Sequence, residues 1–178
     1  MSKKLFAFSF SLIAIDQIIK LIIENNLRNS NVVLLPDILT LQPVQNTNLS
    51  WIASILDYKT PVMLMVVLQI FASVIIVLIY RYLSYLWIKG NKYLWGMMLF
   101  FLSGTACAFI DVVFWKGSLD YLRLFDWFTF DLKDVYLNIG IAFLLFFYIK
   151  YYSEVYHKMS KFERKQTSIL IWLKKGMP

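Results

Sequence analysis

Four long apolar segments, separated by polar stretches, dominate the sequence. They run over about residues 5–23, 61–80, 93–115 and 135–152. Each is close to the roughly 20 residues that a helix needs to cross a bilayer. Pro61 stands at the start of the second segment, where a missing N–H removes no helical hydrogen bond. The pattern predicts an all-α membrane protein with four transmembrane helices, and one membrane domain over residues 1–178.

The polar segment between the first two helices, residues 24–60, has a pattern of its own. Residues 32–35 and 38–42 are short runs of strand-forming side chains on either side of a Pro-Asp pair. Residues 49–56 are amphipathic, and Trp51 in this segment and Trp127 in the later loop suit a membrane interface. We expect a small extracytoplasmic β element followed by a short interfacial helix.

The basic residues predict the orientation. Twelve of the 18 Lys and Arg residues lie at the N terminus, between the second and third segments, or from residue 150 onwards. Because positive charge favours the cytoplasmic side, we expect both termini inside and the loops 24–60 and 116–134 outside. The basic tail, residues 153–178, also contains apolar residues, so it is either an amphipathic helix on the inner leaflet or a partly ordered polar tail.

Composition excludes several function classes. The chain is 60% hydrophobic, which favours a bilayer over water as its surroundings. Its net charge of +7 is concentrated beside the apolar segments, so we expect no nucleic-acid partner. Cys107 is the only cysteine and cannot form a disulfide within the chain. With no second cysteine and one histidine in the tail, we expect no metal and no cofactor. Asp16 and Lys20 within or just after the first apolar run favour an uncleaved helix over a secretory signal.

The segment between the third and fourth helices contains four aspartates, of which three are candidate site residues: Asp120, Asp131 and Asp134. Carboxylates are costly near lipid, so such a group indicates a functional site. Asp120 and Asp134 could share one water molecule, with one carboxylate ionised as a base and the other protonated as an acid. Their spacing permits this arrangement without requiring it. The alternative is structural, with Asp131 as the N-cap of the fourth helix and Asp134 at its third position.

Two further polar features accompany the aspartates. Asp16 and Lys20 are four residues apart on the first helix, so they form either a simple intrahelical ion pair or a buried strut that holds the bundle near the site. Asn46 lies in a polar stretch where asparagine is commonly a turn residue.

Together these residues resemble signal peptidase II, a family of bacterial four-helix membrane aspartyl peptidases. Residues 15–20 are similar to the family's L-D-Q-x-x-K, residues 44–48 to V-x-N-x-G, and residues 130–134 to F-N-x-A-D. Asp111 stands at the aspartate of N-x-x-D-R, and Asp120 follows it by nine residues. The resemblance covers roughly residues 12–140.

The resemblance implies an aspartic endopeptidase that cleaves signal peptides from diacylglyceryl-modified prolipoproteins in the bacterial cytoplasmic membrane. It implies a multi-pass monomer, with lipidated prolipoproteins and membrane lipid as partners and the site near the outer face. Asp120 and Asp134 would be catalytic. The residues that would bind substrate or support the site are Asn46, Asp16, Lys20, Asp111 and Asp131.

The chain departs from the family's motifs at several positions. Ala108 replaces an asparagine, Val112 an arginine, Asp131 an asparagine and Lys133 an alanine. The extra carboxylate of Asp131 should raise its neighbours' affinity for protons unless Lys133 or Arg123 offsets it. Two alternatives therefore remain. Besides an active peptidase, the sequence is compatible with a weakened or inactive relative that binds lipoproteins, lipid or a peptide antibiotic, or with a structural membrane subunit whose aspartates cap helices.

Overall fold

Four membrane-length helices form most of the part of the chain that the structure describes. The computed structural model describes residues 3–47 and 61–177. The six α-helices in this part of the chain are α1 Lys3–Asn26, α2 Val62–Leu86, α3 Asn91–Ile110, α4 Leu132–Glu154, α5 Lys161–Gln166 and α6 Ile169–Lys174. With their adjoining 3₁₀ and π turns, the four candidate membrane spans are Lys3–Asn26, Val62–Leu86, Ile88–Trp115 and Leu132–Lys158. The predicted helical membrane fold is confirmed.

Helix α3 is the centre of the bundle. It packs against α1, α2 and α4, and its Leu94 and Met97 are fully buried in a core that also contains Phe147 of α4. Gly104 lets α3 and α4 approach closely, because a Cβ there would lie 2.7 Å from the Leu137 side chain. Helix α2 differs from the others, since it has no buried residue and is apolar over almost its whole length. It therefore presents most of its surface to lipid.

A four-stranded antiparallel sheet covers one end of the bundle. Its strands are β1 Val32–Leu35, β2 Leu39–Asn46, β3 Ser118–Leu124 and β4 Phe128–Phe130, in that spatial order. The first two strands confirm the predicted β element. The second hairpin was not predicted, and residues 116–134 are therefore more than a loop between two helices.

The turn of the second hairpin explains why it was missed. Phe125 and Asp126 both have positive φ values, 50° and 53°, and the Trp127 amide donates to the Leu124 carbonyl at 2.9 Å. Two consecutive positive φ values are typical of the hairpin turn that usually contains Asn-Gly or Asp-Gly. Phe-Asp gives no such signal. Trp127, predicted at an interface, is 80% exposed beside this turn.

Two predictions concern other segments. The interfacial helix over residues 49–56, with Trp51, lies outside the described residues. The tail forms the short helices α5 and α6, each with a serine N-cap, so it is an ordered helical segment rather than a partly ordered one.

Candidate active site

The predicted site residues lie together at the sheet end of the bundle. Helix α1 contributes Asp16 and Lys20, the end of α3 contributes Asp111, and β2 contributes Asn46 at its last position. Strand β3 contributes Asp120, and the start of α4 contributes Asp131 and Asp134. All seven belong to one connected set of polar contacts.

The connection from α3 to β3 positions Asp111 and Asp120. Asp111 begins a π-helical turn that ends at Trp115, a rare irregularity that is frequent at functional sites. The chain then reverses through Gly117, whose φ is +156° and where a Cβ would lie 2.7 Å from the Asn46 carbonyl oxygen. Glycine therefore permits β3 to start directly beside the end of β2. In the resulting register Asn46 pairs with Ser118 and Val44 pairs with Asp120.

Lys20 is the centre of a buried group of charges. Its Nζ lies 3.1 Å from Asp16 Oδ2, 2.7 Å from Asp111 Oδ2 and 2.7 Å from Asp131 Oδ2. Because these residues come from α1, α3 and the cap of α4, the lysine links three separate parts of the fold. The Asp16–Lys20 pair is thus both an intrahelical ion pair and the strut that the sequence suggested. Together with Lys133, described next, these residues are called the ion cluster below.

Lys133 is the second cation of the ion cluster. Its Nζ lies 2.6 Å from Asp131 Oδ2, 3.2 Å from Asp111 Oδ2 and 3.7 Å from Asp120 Oδ1. Arg123, the other candidate to offset the charge of Asp131, instead donates to Gln42 Oε1 at 2.7 Å. Burial alone would raise the pKa of Asp131, but Lys133 and Lys20 hold it below its usual value. Asp131 is therefore a carboxylate with two ammonium partners.

Asp131 also caps α4. Its Oδ1 accepts a hydrogen bond from the Asp134 amide at 3.3 Å, and Asp134 Oδ2 accepts one from the Asp131 amide at 3.1 Å. This reciprocal capping box satisfies two amides that a helix start leaves without partners. The structural role considered for these two residues is therefore present. It also fixes the direction of the Asp134 carboxylate.

Asp120 lies between the ion cluster and Asp134. Its Oδ1 accepts a hydrogen bond from the Ser118 hydroxyl at 2.5 Å, and its Oδ2 accepts one from Asn46 Nδ2 at 3.4 Å. Burial raises the pKa of Asp120, whereas Lys133 and Ser118 lower it and Asp131 raises it, with a net increase. Asp120 and Asp131, which face each other across Ser118, thus have pKa values shifted in opposite directions.

One oxygen from each of Asp120, Asp131 and Asp134 lies within 4.8 Å of the other two. At that separation, one water molecule can contact both Asp120 and Asp134, as general acid–base chemistry requires. Three carboxylate oxygens could also bind a cation, but Asp131 Oδ2 already contacts two ammonium groups. We call Asp120 and Asp134 the aspartate pair.

Two residues of the site were not among the predicted site residues. The Ser118 hydroxyl is 2.5 Å from Lys133 Nζ and connects it to Asp120. Ser118 and Asp120 are two positions apart on a strand, so their side chains point to the same face, and this was an available signal. Lys133 also had a signal, because a lysine in the first turn of a helix opposes the helix dipole and needs nearby carboxylates.

The comparisons with known proteins agree with this architecture. The chain is similar to two bacterial membrane enzymes whose structures were solved by the in meso method. For the first, at 2.3 Å resolution, the TM-score is 0.65 with 22% identity, covering 89% of this chain and 94% of that one. For the second, at 1.9 Å resolution, the TM-score is 0.60 with 19% identity, covering 80% and 90%.

No curated protein matches the sequence. The model of the family described as signal peptidase (SPase) II matches residues 8–150. This range includes most of each of the four helical spans and every residue of the ion cluster and the aspartate pair. The chain therefore belongs to the signal peptidase II family.

Proposed function

We propose that this bacterial membrane protein is an active aspartyl endopeptidase that removes signal peptides from diacylglyceryl-modified prolipoproteins. The observation that carries the proposal is the proximity of the Asp120 and Asp134 carboxylates, whose nearest oxygens lie within 4.8 Å. Membership of the family supplies the reaction class and the lipidated substrate. The carboxylate pair supplies the groups that such a hydrolysis needs.

In the proposed mechanism, Asp134 is the base and Asp120 is the acid. Asp134 lies in the first turn of α4, where the helix dipole favours a negative charge. Asp120 is then the partner that holds the shared proton, because the start of α4 favours Asp134 as the ionised one. The two carboxyls nevertheless titrate as one unit. Asp134 accepts a proton from the attacking water. Asp120 donates its proton to the leaving amine when the peptide bond before the lipidated cysteine breaks.

The surrounding residues have supporting roles in this proposal. Asn46, at the end of β2 and 3.4 Å from Asp120 Oδ2, orients the substrate backbone beside the aspartate pair. Asp16, Lys20 and Asp111 brace the helices that carry the site. Asp131 orients Asp134 through the capping box.

We also propose that the protein functions as a monomer, with the site near the outer face of the cytoplasmic membrane and both termini in the cytoplasm. The site occupies the sheet end of the bundle. The opposite end carries the basic residues of the N terminus, the α2–α3 connection and the tail. Because positive charge favours the cytoplasmic side, this distribution supports an outward-facing site.

The direct test is cleavage of a synthetic diacylglyceryl prolipoprotein peptide by the purified protein in nanodiscs. Asp120→Asn and Asp134→Asn should each lower the cleavage rate by about 10²- to 10⁴-fold, as expected for loss of a general acid or base. Asp37→Asn is the matched control, because Asp37 is an exposed aspartate with a φ of 59°, a conformation that asparagine tolerates. Equal rates in the wild type and both site variants would refute the mechanism.

A second candidate function is binding of a lipoprotein, lipid or peptide antibiotic with weak or no cleavage. It is favoured by one observation, the position of Lys133 Nζ 3.7 Å from Asp120 Oδ1. A cation there stabilises the ionised form of Asp120 and so opposes the protonated acid that hydrolysis needs. Tight binding of the lipidated peptide by the wild-type protein, with no product after long incubation, would support this candidate over the peptidase.

A further inference from the structure

Residues 155–177, here called the tail unit, lie beyond the part of the chain that matches the family, which ends at residue 150. They fold back onto the last turns of α2. The Tyr82 hydroxyl donates to the Thr167 carbonyl at 2.7 Å, and Lys175 Nζ donates to the Tyr85 hydroxyl at 3.3 Å. Trp172 is 2% exposed and packs edge-on against Tyr82, with ring centroids 5.4 Å apart.

The contact with α2 gives the depth of the tail unit. Tyr82 is 20 residues beyond Val62, the first residue of α2. At 1.5 Å per residue this separation is about 30 Å, which equals the hydrocarbon thickness of a bilayer. Since α2 faces lipid along its length, its contact with the tail unit lies at the level of the lipid headgroups. Tyrosines such as Tyr82 and Tyr85 are enriched at that level.

The outward surface of the tail unit is apolar. Leu170 and Leu173, three residues apart, share one side of α6 and are 67% and 48% exposed. Trp172 points to the opposite side, into the contact with α2. Phe162 of α5 is 71% exposed. The buried side of α6 therefore attaches the unit to the bundle, and its apolar outward side has no cover among the described residues.

Basic residues accompany this apolar surface. Lys158, Lys161, Lys165 and Lys174 are exposed, and none forms an ion pair with a residue that the structure describes. Glu163 is the only acidic residue after Glu154, and it is engaged in the capping box of α5. Exposed apolar side chains beside unpaired lysines are the combination that binds an anionic membrane surface.

We propose that the tail unit docks on the anionic phospholipid surface of the same bilayer that the four helices cross. Phe162, Leu170 and Leu173 enter the region between the headgroups and the acyl chains. The lysines contact lipid phosphates, each contributing up to about 1 kcal/mol of attraction near an anionic surface, or roughly fivefold in the docked-to-undocked ratio. The unit thus fixes the end of α2, the membrane span that has no buried residue.

The test uses the full-length protein in nanodiscs, with Cys107→Ser as background and an environment-sensitive fluorophore at Leu170→Cys. In discs that contain anionic phosphatidylglycerol, the fluorophore should shift to the blue and be quenched by brominated acyl chains. The combined substitution Lys161→Gln, Lys165→Gln and Lys174→Gln should lower the docked-to-undocked ratio by about 100-fold. High salt should also lower the docked-to-undocked ratio, because it screens the attraction between the lysines and the lipid phosphates. A label at Asp37→Cys, on the sheet end, is the control for general changes in the discs.

Three results would overturn the proposal. A fluorophore that stays in water in every disc would show that the unit does not dock on lipid. Equal quenching in anionic and zwitterionic discs, unaffected by salt or by the lysine substitutions, would show that headgroup charge has no part in it. Protection that appears only when another protein is added would identify a protein partner instead. The readout is independent of peptide cleavage, so it does not depend on the proposed peptidase activity.

Discussion

The ion cluster and the aspartate pair are neighbouring groups of buried and half-buried carboxylates with different electrostatic surroundings. In the ion cluster, Asp131 has two ammonium groups within 2.7 Å and its pKa is lowered. In the aspartate pair, Asp120 has one ammonium group at 3.7 Å, and burial raises its pKa. Both residues are buried, so the closeness of the cations, rather than burial itself, accounts for the opposite directions of their pKa shifts. Asp131 is thus a structural carboxylate held by two cations, whereas the neighbouring aspartate pair can share a proton.

The comparison changes the meaning of two departures from the family's motifs. Asp131 and Lys133 replace an asparagine and an alanine, and their charged groups are 2.6 Å apart. The added negative charge is therefore largely compensated by the added positive charge. Lys133 also lies 3.2 Å from Asp111, so it brings a cation to that aspartate although the family's adjacent arginine is Val112 here. We infer that Asp131 and Lys133 together leave the formal charge of the site unchanged, whereas Val112 removes one positive charge.

Lys20→Met should have the largest effect among the changes that distinguish the ion cluster from the aspartate pair. This change leaves Asp16, Asp111 and Asp131 without their shared buried cation, and removing one partner of a buried ion pair costs about 3–5 kcal/mol. We expect a large loss of folded protein, measured by thermal unfolding of the detergent-solubilised chain. Asp134→Asn should leave the unfolding temperature close to that of the wild type. Comparable unfolding temperatures for wild type and Lys20→Met would contradict the structural role of the ion cluster.

The next prediction tests the compensation between Asp131 and Lys133. Each single change, Asp131→Asn or Lys133→Ala, leaves a buried charge with fewer partners and should lower the free energy of unfolding. The double variant removes both charges and restores the family's Asn and Ala, so its loss should be smaller than the sum of the single losses. Contacting charges typically couple by about 0.5–3 kcal/mol. Additive losses across this double-mutant cycle would show that the two replacements are independent.

A third prediction concerns the pH dependence of cleavage. The proposed mechanism needs a protonated Asp120, so activity should fall as pH rises through its raised pKa. Lys133 lowers the pKa of Asp120 and Asp131 raises it. Lys133→Met should therefore move the alkaline decline to higher pH, and Asp131→Asn should move it to lower pH. Rates of peptide cleavage from pH 4 to 9 would measure both shifts, and shifts of the same sign in the two variants would exclude this electrostatic account.

Much of the fold was predictable because the membrane restricts it. Twenty-residue apolar runs indicate helices almost without regard to tertiary context, and residues 32–42 had ordinary strand-forming composition. The β3–β4 hairpin was not predictable, since its turn places Phe125 at a positive φ that its side chain does not favour, and Phe-Asp is not a typical hairpin-turn pair. The aspartates were found through their cost near lipid and through motif resemblance. The sequence identified Lys133 and Arg123 as the cations that could offset the negative charge of Asp131. Only the distances in the structure show that Lys133 is the one that does so.

The smallest effect is expected from substitution of Ser118, whose side chain connects the ion cluster directly to the aspartate pair. Its hydroxyl accepts a hydrogen bond from Lys133 Nζ at 2.5 Å and donates one to Asp120 Oδ1 at 2.5 Å. Ser118→Ala removes both bonds, and the net value of a hydrogen bond to a charged group is about 1.5–3 kcal/mol. Part of this loss is recoverable, because Lys133 can move towards Asp120 and contact it directly. We therefore expect cleavage to fall by about tenfold at most, which corresponds to about 1.4 kcal/mol. Ser118→Thr keeps the hydroxyl and suits a strand, so it should retain most of the activity. If Ser118→Thr were as impaired as Ser118→Ala, the hydroxyl would not be the group that transmits the charge of the ion cluster to the aspartate pair.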